Sequence, residues 1–402
     1  MTTPSFAGHW SLDPAVGYLN HGSFGACPTA VLEVQAAIRA RLERQPTQFF
    51  RDLLPLLDEA RAALGAFVGA DPDDLAWLPN ATSGVSTVAA SLQLEPGDEL
   101  LTTSHAYNAC RNALRAQERR GAKVVVAQVP FPLSSPQQVL DAVLAQVTAR
   151  TRLALIDHVT SPTGLVFPVA ALVRALEAHG VDTLIDGAHA PGMLPLDLKS
   201  LGAAYYTGNC HKWLCSPKGA AFNHVRRDRQ EGLSPLVIGH GFNAPARGRS
   251  RFRLLFDWTG THDPSPYLSV PAAITLLGGL HPGGFPALME RNRTLALQAQ
   301  RMLCEVLGID APAPPEMIGS LASVPLPPLA PADSEAASPA TPGAPADPLH
   351  RRLLREHGFE VWLNPFGASP ARVLRISAAA YTDEGQLERF RAAFKSILRQ
   401  PG

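Results

Sequence analysis

From about residue 74, seven short apolar runs follow one another along the chain: DLAWL, DELLTT, KVVVAQV, RLALIDHV, DTLID, AAYYTG and GAAFNHV. Amphipathic, helix-like stretches separate several of them: TSGVSTVAASL, ACRNALRAQERRG, PQQVLDAVLAQVTAR and VAALVRALEAHG. Strands that are apolar throughout must be buried on both faces, and intervening helices provide the cover. The alternation therefore predicts an α/β fold on a mainly parallel sheet. In such sheets ligands bind beyond the carboxyl ends of the strands, so chemistry is expected just after each apolar run.

Around this core the chain divides into three. Residues 1–30 read as an N-terminal arm. Residues 31–264 form a large domain that opens with helices over 31–69, broken near Pro46 and Pro55. Residues 265–402 form a smaller α+β domain: SPYLSVPAAITLLGG and ALMERNRTLALQAQRMLCEVLG read as helical, LASVPL, FEVWL and RVLRISA as strands, and DEGQLERFRAAFKSILRQ as a closing helix. Within it lies a Pro-rich insertion, 331–348, whose PADSEAASPATPGAPAD stretch has no core side chain larger than alanine. A mobile surface segment without catalytic role is expected there.

Composition narrows the function. Hydrophobic residues make up 46% of the 402, enough for a sizeable core. Lys+Arg and Asp+Glu both number 35, and a neutral chain is a poor partner for nucleic acid or an anionic membrane. No apolar run approaches the ~18 residues that cross a bilayer, and the N-terminus lacks a basic, apolar leader. Five scattered cysteines without a CxxC pair fit a reducing compartment, so a cytoplasmic location is expected. No metal-ligand spacing stands out, and no metal is expected.

Four segments carry candidate chemistry. LPNATSG (78–84) runs from a strand into a helix whose first turn holds Thr82, Ser83 and Gly84. Free N–H groups and hydroxyls there make an anion cup suited to phosphate; the plain alternative is a helix cap by Asn80 or Thr82. LIDGAHAPG (184–192) puts Asp186 at the end of a very apolar strand, where a carboxylate needs a partner such as a protonated ring nitrogen. His189 can meet the same ligand at another edge, the alternatives being a capping Asp and a core His. TGNCHKWLCSPKG (207–219) holds Lys212, one of only five lysines, in apolar surroundings that favour a nucleophilic amine; Lys218, between Pro217 and Gly219, reads as a turn residue. TTSHAYNAC (102–110) offers Tyr107 or His105 to stack on a flat ring, or simply a helix start. GRSRFR (248–253) reads as a solvated basic loop, or else as positive potential at the site mouth. A phosphate cup, an acid for a pyridinium nitrogen, a stacking ring and a lysine for a Schiff base are together the equipment for pyridoxal phosphate.

On these motifs, with YLNHGSFGACP, DWTGTHDPSPYLSVPAA and LRISAAAYTDEGQL, nearly the whole chain resembles the class V aminotransferase-fold pyridoxal phosphate enzymes, in the branch that includes isopenicillin N epimerase and related amino-acid lyases. The resemblance implies fold-type I architecture, a large domain with a mainly parallel seven-stranded sheet plus a smaller α+β C-terminal domain, and a homodimer with sites near the subunit interface. It implies Lys212 as the cofactor-linked lysine, Asp186 as partner of the pyridine nitrogen and His189 at the ring hydroxyl. Ala81, Thr82, His211 and Asn209 fall at the phosphate, Thr261 at the neighbouring subunit's phosphate, and Tyr107 over the ring. Arg375 falls at the substrate carboxylate, and Asn20 and His21 on an entry loop approaching the substrate. The substrate implied is an amino acid or an amino-acid-containing molecule, with no nucleic-acid or membrane partner. An epimerase-like reaction leads; a C–S β-lyase on a cysteine conjugate or sulfoxide, an aminotransferase, and a non-catalytic pyridoxal-binding protein are the alternatives. The segment GFEVWLNPFGASPARVLRIS contains no cysteine, which argues against a persulfide-forming desulfurase.

Overall fold

The computed structural model describes residues 5–328, 347–367 and 370–399; most of the Pro-rich insertion lies outside them. A short strand, β1 (Gly17–Tyr18), and one helical turn, α1 (His21–Phe24), precede helices α2 (Thr29–Arg44), α3 (Pro46–Arg51) and α4 (Leu53–Val68). The second break falls at Asp52 rather than Pro55. Pro55 sits in the first turn of α4, where its missing N–H costs nothing.

All seven apolar runs become strands of one sheet. They are β2 (Leu75–Leu78), β3 (Glu99–Thr103), β4 (Lys123–Ala127), β5 (Thr151–Asp157), β6 (Asp182–Gly187), β7 (Tyr205–Asn209) and β8 (Ala221–Val225), in the spatial order β2-β8-β7-β6-β5-β3-β4. Only β8 runs against the rest. The connecting helices are α5 (Ala81–Ser91), α6 (Asn108–Arg115), α7 (Gln137–Leu144), α8 (Val169–Ala178) and the short α9 (Leu198–Leu201). Burial explains the unbroken apolar runs. Along β5, Leu153 and Leu155 pack with Val85, Val88 and Leu114 on one face, whereas Ala154 and Ile156 enter the main core on the other.

Helix α10 (Arg251–Asp257) follows, then α11 (Ser265–Leu268), α12 (Val270–Leu280) and the long α13 (Gly284–Leu307). Helices α11 and α12, beyond residue 264, pack on α2 and α4, while α13 packs on the small sheet. That sheet is antiparallel, ordered β11-β12-β9, with β9 (Leu321–Leu326), β11 (Trp362–Pro365) and β12 (Arg372–Ser377). Helices α14 (Pro348–His357) and α15 (Glu384–Arg399) pack together beside it. The segment expected as one strand, FEVWL, splits: β10 (Phe359–Glu360) pairs in parallel with β1, and β11 pairs with β12. The N-terminal arm is thereby tied to the C-terminal region, and residues of both share one continuous core.

The basic motif GRSRFR is only partly solvated: Arg251 is exposed, but the rest of its charge is built into the fold. Ser250 caps α10, and Arg253 is buried among carboxylates. Arg61, Arg249 and Arg253 meet Asp58 and Asp257, with Asp73 also on Arg253. Asp257 lies on α10 itself, but Asp58 and Asp73 come from segments far away in sequence, which is why local charge density misreads the motif. No helix among the described residues is long and apolar enough to cross a membrane.

Candidate active site

Side-chain alternation brings three polar residues to one face at the carboxyl edge of the sheet. Asp157 ends β5, Asp186 lies near the end of β6 and Asn209 ends β7. Asp157 and Asp186 are register partners. The face is the one covered by α5 and α6, and the cleft it forms is lined by these three residues with Ser23, Tyr107, Cys110, Ser161, His189, His211 and Lys212. A larger groove of about 800 Å³ between residues 7–18 and α15 has no lysine in its lining.

Lys212 follows β7 on a turn fixed through its carbonyl, which accepts from Cys215 N–H and from the His21 ring. Its Nζ lies 3.2 Å from His189 Nε2. The other ring nitrogen of His189 accepts the indole N–H of Trp213 at 3.3 Å. Because an indole nitrogen only donates, the neutral imidazole carries its proton on Nε2, aimed at the lysine amine. Burial and the nearby charges of Lys212 and Arg375 hold His189 well below the usual histidine range. Burial, followed by the Arg375 charge, brings the Lys212 ammonium down to about 8. A weakly basic amine next to an uncharged imidazole is a usable nucleophile and base.

Asp186 accepts the Ala188 N–H at 3.0 Å and the Cys110 thiol at 3.2 Å. Its buried neighbour Asp157, like Cys110, carries no signal in the sequence motifs; their placement depends on strand register and on the docking of α6. At the start of α5, Asn80 caps the helix through Ser83 N–H at 2.8 Å, and Ala81 N–H donates to Asn209 Oδ1 at 2.8 Å. The cap and the cup thus coexist, since the Thr82 N–H has no acceptor among the described residues. His211 shares a hydrogen bond with Ala220 O at 3.0 Å.

Arg375, on β12, is fully buried without an acidic partner. It donates to Ser161 O and, at 3.4 Å, to Ser23 Oγ, and its guanidinium carbon lies 4.8 Å from the Trp362 ring centroid. Its Nε has no acceptor, and burial pulls its pKa down to about 9. Both hydrogen-bond partners line the cleft. A buried cation with unspent donors fits a carboxylate.

Of the two stacking candidates, Tyr107 lines the cleft as a half-exposed ring. His105 is buried elsewhere, hydrogen-bonded to Thr163 at 2.7 Å and Val129 O at 3.1 Å. Asn20 and His21 do not line the cleft, contrary to expectation. Asn20 donates to Glu360 at 2.9 Å, and His21 spans Tyr381 Oη at 2.8 Å and Lys212 O at 3.0 Å, so their polar atoms are spent on structure. Ser23 and Phe24, three residues further on, line it instead. Thr261 is exposed and outside the cleft of its own chain. Lys218 donates to Gly25 O at 2.9 Å, in keeping with a turn residue.

Fold and site together define an α/β protein of fold-type I layout, with a lysine-bearing cleft at the carboxyl edge of its sheet. Residues 29–337 match the aminotransferase class-V family, and the chain belongs to that family. It is 34% identical to isopenicillin N epimerase of Streptomyces clavuligerus, covering 97% of each chain. It is 29% identical to a probable chloroplastic L-cysteine desulfhydrase of Arabidopsis thaliana, covering 96% of this chain and 84% of that one. Among solved structures it resembles a C-DES mutant with glycine covalently linked to its PLP cofactor, with a TM-score of 0.78, 22% identity, and coverage of 94% and 96%.

Proposed function

We propose that this protein is a pyridoxal phosphate-dependent enzyme acting at the α-carbon of an amino acid or amino-acid-containing substrate, with an epimerase-like outcome. The observation that carries the reading is a weakly basic Lys212 lining the cleft, with the buried Arg375 behind it on the lining residues Ser23 and Ser161. The residues fit the cofactor: an unpaired Thr82 N–H beside Ala81 for its phosphate, and Asp186, held by two donors, for its ring nitrogen. Asn209 and His211 would add to its phosphate contacts, His189 would meet its ring hydroxyl, and Tyr107 would cover its ring. When bound, the cofactor supplies an electron sink that acidifies the substrate α-C–H.

The chain's own residues do the rest. Arg375 binds the substrate carboxylate and orients the α-carbon toward Lys212. Lys212 would hold the cofactor, and its amine is the base in the cleft that would move the α-proton. His21 steadies the Lys212 backbone and is not a substrate ligand in this reading. The protein works as a homodimer, in which Thr261 completes the partner's phosphate site. Leu236, Val237, Ile238 and Phe242 are each more than half exposed, and the last three share a depression with Thr259 and Gly260 next to it.

The second reading is a C–S β-lyase, favoured by the desulfhydrase-named relatives. Incubation with a panel of amino acids and cysteine conjugates separates the two. Chiral analysis is expected to show inversion without keto-acid release. Stoichiometric keto acid and thiol identify the lyase instead, and no turnover of any kind refutes both.

A further inference from the structure

Asp157 and Asp186 are buried carboxyl groups on register-paired residues of adjacent parallel strands, on the same face of the sheet. The first turn of α6 sits on both. The Tyr107 amide N–H is directed at the Asp157 carboxyl, and the Cys110 thiol donates to Asp186 Oδ2 at 3.2 Å. The two acids are not equivalent. Asp186 has two donors, whereas Asp157 Oδ2 is buried with no hydrogen-bond partner among the described residues. Two anions this close in a dry site cannot both persist cheaply, and the proton belongs on the less solvated one.

We propose that Asp157 is a positioning residue: as a neutral carboxylic acid it pins the Tyr107–Cys110 turn over the cleft and leaves Asp186 as the single anion facing the cofactor ring. The groups facing it are consistent with this. Burial, then the Asp186 charge, raises its pKa well above the carboxylate range; the Tyr107 and Asp157 backbone N–H groups and, last, Arg111 on α6 oppose that shift without reversing it. Arg111 makes no ion pair with it; the one side-chain acceptor of its guanidinium is Asn108 Oδ1 at 3.4 Å. Lys212, which lines the cleft, has its pKa lowered by burial and Arg375, and among the acids that oppose this Asp186 acts more strongly than Asp157. The adjacent Tyr107 and Cys110 side chains stay uncharged, their pKa values raised by burial.

The proposal rests on the pyridoxal phosphate reading, and the experiment keeps the two apart. Holoenzyme carrying Asp157→Asn, Asp157→Ala or Asp186→Asn is titrated for cofactor affinity and for the pH dependence of the visible band of the Lys212-linked cofactor. The Asp157 carboxyl carbon is followed by isotope-edited NMR, assigned by its loss in Asp157→Asn. Asp157→Asn, neutral and still an acceptor for Tyr107 N–H, is expected to match the parent in affinity and band titration. Asp157→Ala is expected to bind cofactor about tenfold more weakly, the loss of one hydrogen bond. The carboxyl resonance is expected to stay in the protonated position at neutral pH, where an ordinary carboxyl group has already ionised. An ionised resonance at neutral pH, a band titration moved to lower pH by Asp157→Asn, or parent-like affinity in Asp157→Ala overturns the proposal. Where the alanine variant fails to fold, the asparagine variant and the resonance decide. An Asp186→Asn enzyme with parent affinity and titration refutes the Asp186–ring reading instead, and the resonance still reports the state of Asp157.

Discussion

Replacing Arg375 by methionine should separate function from stability. The guanidinium is buried without an acid and held at about 9, so the folded chain carries a desolvated charge that only Trp362, Ser161 O and Ser23 soften. A base whose folded pKa is depressed destabilises the fold at every pH below about 9, and the penalty fades only in stronger alkali. Methionine matches the apolar stem, removes the charge and leaves few polar groups unpaired. Substitutions of this kind are neutral or stabilising by about 1–3 kcal/mol. The same change removes a charge-assisted contact to the substrate carboxylate, worth about 1.5–3 kcal/mol, or about one to two powers of ten in KM. The assay pairs steady-state kinetics on carboxylate substrates with urea unfolding of the variant near pH 7. The expected result is a raised KM together with an unchanged or higher midpoint. A KM equal to the parent's takes Arg375 out of the substrate site. A loss of stability beyond about 2 kcal/mol shows that the charge is compensated, and the reasoning fails.

Four further outcomes follow from the same structure. The rate at which apoprotein couples pyridoxal phosphate to Lys212 should rise with pH and level off above about 8, because only the neutral amine attacks; a rise continuing through about pH 10 contradicts the depressed pKa. Asp257→Ala should cost about 1.5–3 kcal/mol in urea unfolding, since buried Arg61 and Arg253 each lose one charge-assisted partner while keeping Asp58, and a loss under about 0.5 kcal/mol refutes the network's role. L-Cysteine should leave no persulfide on the protein by mass spectrometry. All five thiols are buried, and Cys110, which lines the cleft, donates to Asp186; a stoichiometric adduct reverses this. Ile238→Asp and Phe242→Asp should shift the sedimenting species toward monomer and weaken cofactor binding, whereas a dimer of parent affinity removes this surface from the interface.

The seven apolar runs determined the sheet, because strands buried on both faces have few other places to go. Lys212, Asp186 and Thr82 were legible because each follows such a run, where a parallel sheet opens its ligand crevice. Tertiary structure decided what depends on partners distant in sequence. GRSRFR became a buried ion-pair cluster because Asp58 comes from α4, more than 190 positions away. Asn20 and His21 were spent on Glu360 and Tyr381 because β1 pairs with β10 and draws the arm against the C-terminal region. Asp157 and Cys110 joined the site through the β5–β6 register and the seat of α6. Local apolar patterning is written along the chain, but the neutralisation of a charge is a property of whatever the fold brings within a few ångströms of it.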